Sequence, residues 1–111
     1  WTGSRWMRAC GSEFDGWIAS AHYGGYDALK AGVERYRAAG GVRAIVTNIA
    51  LDLEPPASRK TTRPPGLLCA PDAAAARLGR LTDPGFDETV VVMPRGAMES
   101  DFGAFRALLP V

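Results

Sequence analysis

Arg43-Ala44-Ile45-Val46-Thr47-Asn48-Ile49-Ala50-Leu51-Asp52-Leu53 is rich in β-branched residues and nearly continuous in its apolar content. A run of this kind reads as a strand buried on both faces, as in a parallel sheet; a strand with one wet face would alternate. A parallel strand needs a crossover helix on each side of it in sequence, and both are present. Upstream, Asp27–Ala39 places Leu29, Val33 and Tyr36 at i, i+4 and i+7, with Lys30, Glu34, Arg35 and Arg37 on the other face. Asp27 suits the positive end of that helix dipole, and Gly40-Gly41 supplies the left-handed stop. Downstream, Pro71 fits the first position of a helix over Asp72–Leu81, whose Ala74, Leu78 and Leu81 form one apolar stripe.

The pattern repeats further out. Phe14–Ser20 reads as a short strand with Trp17 and Ile18 as its apolar part, followed by a Gly/Tyr loop over His22–Tyr26. Glu54–Gly66 holds four prolines and the basic pair Arg59-Lys60, so it can continue neither element and reads as a long loop. Asp83-Pro84-Gly85 turns the chain into a last strand, Thr89–Met93, again continuous rather than alternating. After a loop over Pro94–Glu99, Ser100 is placed to cap a final helix, Asp101–Leu109, with Phe102, Phe105 and Leu109 inward and Pro110 ending it. The order is helix, strand, helix, strand, helix, strand, helix, with Trp1 as the stump of an earlier strand. Repeating βα units imply an α/β fold of parallel strands joined by right-handed crossovers. Three strands and a stump make either an incomplete layer or about half of an eight-stranded barrel.

The 111 residues are 47% hydrophobic and 23% charged, enough for one core and one domain. Thirteen Lys/Arg against twelve Asp/Glu leave a net charge of +1, which argues against nucleic acid or a polybasic membrane contact as partner. No apolar run approaches the roughly 18–20 residues of a membrane span. Cys10 and Cys69 stand alone, without a CxxC or a neighbouring His, so no metal is expected; reduced buried thiols in a cytoplasmic protein are the expectation, with a structural disulfide as the alternative. The one histidine, His22, has no GxSxG nucleophile turn to serve, and no HExxH, Walker-type phosphate loop or GxGxxG is present.

Five segments in order narrow the choice: Trp1-Thr2-Gly3-Ser4, Phe14-Asp15-Gly16-Trp17-Ile18-Ala19-Ser20, Tyr36-Arg37-Ala38-Ala39-Gly40-Gly41, Pro71-Asp72-Ala73-Ala74 through Leu78, and Gly85-Phe86-Asp87-Glu88-Thr89-Val90-Val91-Val92. With Ala107-Leu108-Leu109-Pro110 at the end, the succession resembles the C-terminal part of the bacterial-luciferase-like flavin-dependent oxidoreductases, a (β/α)8 TIM-barrel family. Each motif alone is weak; their order and gaps carry the resemblance, which covers essentially the whole chain. It implies that Thr89–Met93 is the eighth strand, Arg43–Leu53 the seventh, Phe14–Ser20 the sixth and Trp1 the end of the fifth. A complete barrel needs about 250 residues. Residues 1–111 are then the C-terminal half of one barrel domain, about three βα units, with the N-terminal half absent.

The resemblance also implies a cofactor, FMN or a related deazaflavin, with Thr2, Gly3 and Ser4 holding its phosphate. Read from the residues, Gly3 permits close backbone approach and the free N–H groups of the next helix turn point at whatever lies there, but a plain Gly-Ser cap has the same sequence. The general barrel rule places phosphate after strands seven and eight instead, which makes Arg95-Gly96 the second candidate. Active sites lie at the C-terminal ends of barrel strands, so Ser20, Ala21 and His22 face the pocket mouth, with a surface histidine as the plain alternative for His22. Trp17 can line a flavin ring or fill the core. Asp52 and Glu54 can face substrate or solvent, and the segment with Arg59, Lys60 and Arg63 can be a lid or a tolerant loop. No residue declares itself a general base, so the catalytic residues are unknown. The expected activity is oxidation of a small organic substrate with reduced FMN and O2, or hydride transfer with a deazaflavin, in a parent enzyme that is a homodimer; the fragment alone would be inactive. The alternative is a small, autonomous, non-catalytic α/β binding or interaction module.

Overall fold

A computed structural model describes residues 4–21, 25–53, 66–93 and 96–109. Its elements run α1 (Ser4–Glu13), β1 (Trp17–Ser20), α2 (Tyr26–Ala38), β2 (Ala44–Asp52), β3 (Leu67–Leu68), α3 (Pro71–Thr82), β4 (Glu88–Val92) and α4 (Glu99–Arg106). The fold is mixed α/β; the described residues form four helices and a small open parallel sheet. Its centre is β2, which pairs in parallel with β1, β3 and β4. Trp17–Ser20 of β1 lies against Ala44–Thr47, and β4 takes the other long pairing, from Ile45 opposite Glu88 to Ala50 opposite Val92.

Local chemistry explains the elements. Helix α2 ends where Gly40 enters the left-handed region at φ 94°, with the N–H groups of Gly40 and Gly41 donating to the carbonyls of Arg37 and Tyr36. That is the Schellman arrangement, which satisfies two of the carbonyls a helix end leaves open. A Cβ on Gly41 would sit 2.3 Å from the Tyr36 ring, so glycine is needed there for packing as well. Pro71 occupies the start of α3, where no N–H is required.

The core lies between the helices and one face of the sheet. Leu29, Val33 and Tyr36 of α2 and Ala74 and Leu81 of α3 are buried with Trp17, Ala19, Ala44, Val46 and Ile49. Trp17 stacks on Phe86 at 5.9 Å between centroids and lies 5.6 Å from Tyr36, so it is core and cannot also line a ring on the other side of the sheet. Both cysteines are free, Cys69 buried and Cys10 half-buried.

Several sequence expectations are corrected. The strand expected over Phe14–Ser20 is shorter, because pairing starts only at Trp17. β2 is parallel but not buried on both faces: its residues alternate, because the described helices cover only one side. β4 alternates too, leaving Val90 and Val92 about half exposed. Leu67–Leu68, directly after the proline-rich loop, forms a strand too short for periodicity to reveal. Helix α4 begins after Met98, not Ser100; the Asp101 carboxylate accepts the Met98 backbone N–H at 2.6 Å and takes over the capping role. Phe102 and Leu109 point outward; Phe105 and Leu108 reach the core. The Trp1 strand stump and most of the Glu54–Gly66 loop lie outside the described residues.

Candidate functional site

Parallel sheets bind ligands beyond the carboxyl ends of their strands, so the ends of β1, β2 and β4 define where a site belongs. At the end of β1, Ser20 is half-buried on the sheet face that the helices leave open. It meets two residues of β2 that the sequence reading passed over. Asn48 Nδ2 donates to Ser20 Oγ at 2.8 Å and to Thr47 Oγ1 at 3.4 Å, while Thr47 Oγ1 donates to the Ala19 carbonyl at 3.2 Å.

Asn48 has φ 61°, the one non-glycine residue described with positive φ, and the register of β2 against β4 shifts between Val46 and Ile49. This is a β-bulge: two residues, Thr47 and Asn48, stand against the single Val90. Asparagine tolerates the left-handed region better than the β-branched residues around it. Asn in a β-branched run was the one available signal, since strands are depleted in it.

Beyond the end of β2 a cleft of about 260 Å³ opens between the starts of α3 and α4, lined by Asp52, Leu53, Pro71, Met93, Ser100 and Asp101. Asp52 lines this cavity, and Ser100 and Asp101 join it there. Two carboxylates make this cleft a poor phosphate site. A wider groove of about 500 Å³, lined by Met7, Arg8, Ser12 and Arg35, lies between α1 and α2 toward the N-terminal ends of the strands, the end that ligands of parallel sheets do not use.

The helix starts differ in charge. Asp27 lies in the first turn of α2, Asp72 in that of α3, and Glu99 and Asp101 in that of α4; the first turn of α1 carries no acid, and Arg5 lies in it. Acid at a helix start occupies the field that would otherwise hold an anion. Of the phosphate-turn residues, Ser4 is the first of α1, while Thr2 and Gly3 lie outside the described residues. For the second candidate, Gly96 forms a turn at φ 75° and leads into the acidic start of α4, and Arg95 lies outside. His22, Glu54, Arg59, Lys60 and Arg63 also lie outside.

No family model, curated protein or solved structure matches this chain. Among the described residues no three His, Cys, Asp or Glu side chains cluster as metal ligands, and no helix is long and apolar enough to cross a membrane.

Proposed function

We propose that these residues form the C-terminal half of a (β/α)8 barrel in a luciferase-like flavin-dependent oxidoreductase, a cytoplasmic homodimer acting on a small organic substrate. The observation that carries the cofactor reading is the start of α1, which alone among the helices of the described residues has an acid-free first turn and follows Thr2-Gly3. The barrel reading draws support from two further features. β1, β2 and β4 lie side by side in sequence order and all parallel, as neighbouring barrel strands do. The uncovered sheet face carries Ile18, Val90 and Val92 at 64%, 49% and 53% exposure, side chains that a closed barrel would turn into its interior.

The residues present fit FMN or a deazaflavin at its phosphate. The N–H groups at the start of α1 and the Arg5 side chain would hold the phosphate, and Ser20, at the C-terminal end of β1, would lie at the pocket mouth. The bound flavin supplies the redox chemistry, with O2 as oxidant for FMN or by hydride transfer for a deazaflavin. This chain's share is to bind the phosphate, orient the ring and exclude water through the apolar face. FMN titrated into the intact protein and followed by flavin fluorescence should bind, and Gly3→Val should weaken it at least about tenfold by obstructing the backbone approach. Unchanged affinity would remove the phosphate turn.

A second reading, a small autonomous non-catalytic α/β module, is favoured by the contiguous core from Met7 to Phe86 within these 111 residues. It requires indifference to FMN, so the same titration separates the two.

A further inference from the structure

Helix α4 divides into two faces. Asp101 and Ala104 line the cleft beyond β2, and Phe105 and Leu108 pack against the core, so these four turn toward the molecule. Glu99, Phe102, Gly103 and Arg106 repeat the same i, i+3, i+4, i+7 spacing on the opposite side, and all four are exposed. Phe102 is 54% exposed, and Met98 and Leu109, at 68% and 43%, extend the apolar surface at the two ends of the helix. Barrel helices form an outer ring, so a face turned away from the sheet lies on the outside in that fold as well.

The order of these side chains is self-complementary. Along the helix it runs acid, phenyl ring, glycine, base; a second copy turned end over end presents base, glycine, phenyl ring, acid. In an antiparallel pair with its two-fold axis between Phe102 and Gly103, Glu99 of each copy faces Arg106 of the other, and Phe102 faces Gly103. Neither charged side chain pairs with a described residue. A Cβ on Gly103 would meet nothing within 4 Å, which leaves room for the opposing ring. The symmetry makes each ion pair occur twice, and it sets the N-terminal end of one helix dipole beside the C-terminal end of the other. A different partner would need this alternation of charge on a surface of its own; a second copy already carries it.

We infer that the outward face of α4 is an interface between two copies of this chain, paired antiparallel across Phe102 with Glu99 and Arg106 exchanged. The inference gives a location to the homodimer of the reading above; it rests on that part alone and needs no flavin. Eight helical residues span about 12 Å. The contact is therefore smaller than the roughly 800 Å² per partner of a standard interface. The pair dissociates in the micromolar range or above, and high salt weakens it by screening the two ion pairs.

Analytical ultracentrifugation of the intact protein, from micromolar to sub-millimolar concentration, tests it. The wild type should dimerise reversibly. Glu99→Arg and Arg106→Glu should each weaken the dimer at least about tenfold, because one reversal makes both ion pairs repulsive. Mixing the two variants should restore association as a heterodimer, since each supplies the charges the other lacks; damage to the fold of either variant would not be rescued this way. A dimer that ignores both reversals, or variants that stay apart when mixed, overturns this interface and leaves the homodimer standing. A wild type that is monomeric throughout overturns the homodimer and this inference together. The melting temperature of Phe102→Asp adds a separate check: a sharp fall with association unchanged means that the protein's own chain covers the face, and overturns the inference.

Discussion

Asp87 shows how one carboxylate can close the turn that leads into a strand. Its Oδ2 accepts the Ala44 backbone N–H at 2.8 Å and the Arg37 Nη2 at 2.7 Å, and the same guanidinium donates to the Gly85 and Gly41 carbonyls. The Ala44 N–H first, and then the Arg37 hydrogen bond, hold the Asp87 carboxyl below its ordinary value despite its exposure. A lowered carboxylate pKa stabilises the fold above the ordinary aspartate range, near pH 4, and the contribution disappears as pH falls through the lowered value. Asp87→Ala should therefore cost about 1–2 kcal/mol at pH 7, chiefly from the stranded Ala44 N–H, since exposed ion pairs contribute less than about 1 kcal/mol. Urea unfolding at pH 7 and pH 2.5–3 checks this (about one pH unit below the ordinary range): the variant should lose less stability on acidification than the wild type, and equal losses would refute the assignment. Helical spacing put Arg37 on the outer face of its helix and could not show that it reaches Asp87, fifty residues along the chain. Asn48 was hidden for the same reason. Its bulge exists only through pairing with β4, whereas Ser20 was legible because a strand end can be read locally.

Among the elements, α2 and α3 were read to within a residue because each carries its own apolar stripe, while α4 starts two residues and ends three residues earlier than its pattern suggests; strand burial was misread because it depends on what covers the sheet. The stripe of α2 is buried as spacing predicts, yet in the segment of α4 and the turn after it Phe102 and Leu109 are exposed among the described residues. Helix contact also gives glycine opposite meanings in two helices. A Cβ on Gly11 of α1 would lie 2.7 Å from both the Cβ and the carbonyl oxygen of Ala39, whereas one on Gly103 of α4 would meet nothing within 4 Å. Helix propensity alone favours alanine over glycine by about 1 kcal/mol at either position. Gly103→Ala should realise most of that gain. Gly11→Ala should reverse the sign and cost about 1–3 kcal/mol, since the backbone of Ala39 cannot yield as a side chain would. Thermal unfolding of the two variants measures the contrast, and a stabilising Gly11→Ala would show that α1 does not pack as described.

At the scale of the molecule, the sheet has one face under helices and one face without cover, and β1 and β4 each pair on one side only among the described residues. The apolar content that made β2 and β4 read as doubly buried strands is therefore present in the chain but unsatisfied on one side. Sequence patterning records the environment a strand is built for, and among the described residues β2 and β4 find it on one face only. The barrel reading and the autonomous-module reading differ in what Val90 and Val92 meet. In a closed barrel they are interior, and a lysine there would bury an unpaired charge at a cost of several kcal/mol. In an autonomous module they are surface residues, where substitutions away from special contacts stay within about 0.5 kcal/mol. Val90→Lys should accordingly lower the melting temperature of the intact protein sharply, while the isolated 111-residue chain should tolerate it and associate less, because the charge interrupts an exposed apolar face. Melting curves of the intact protein and size-exclusion profiles of the isolated chain read the two halves of this expectation. An intact protein indifferent to Val90→Lys would mean that the face is solvated in the native state, and the half-barrel would have to be abandoned.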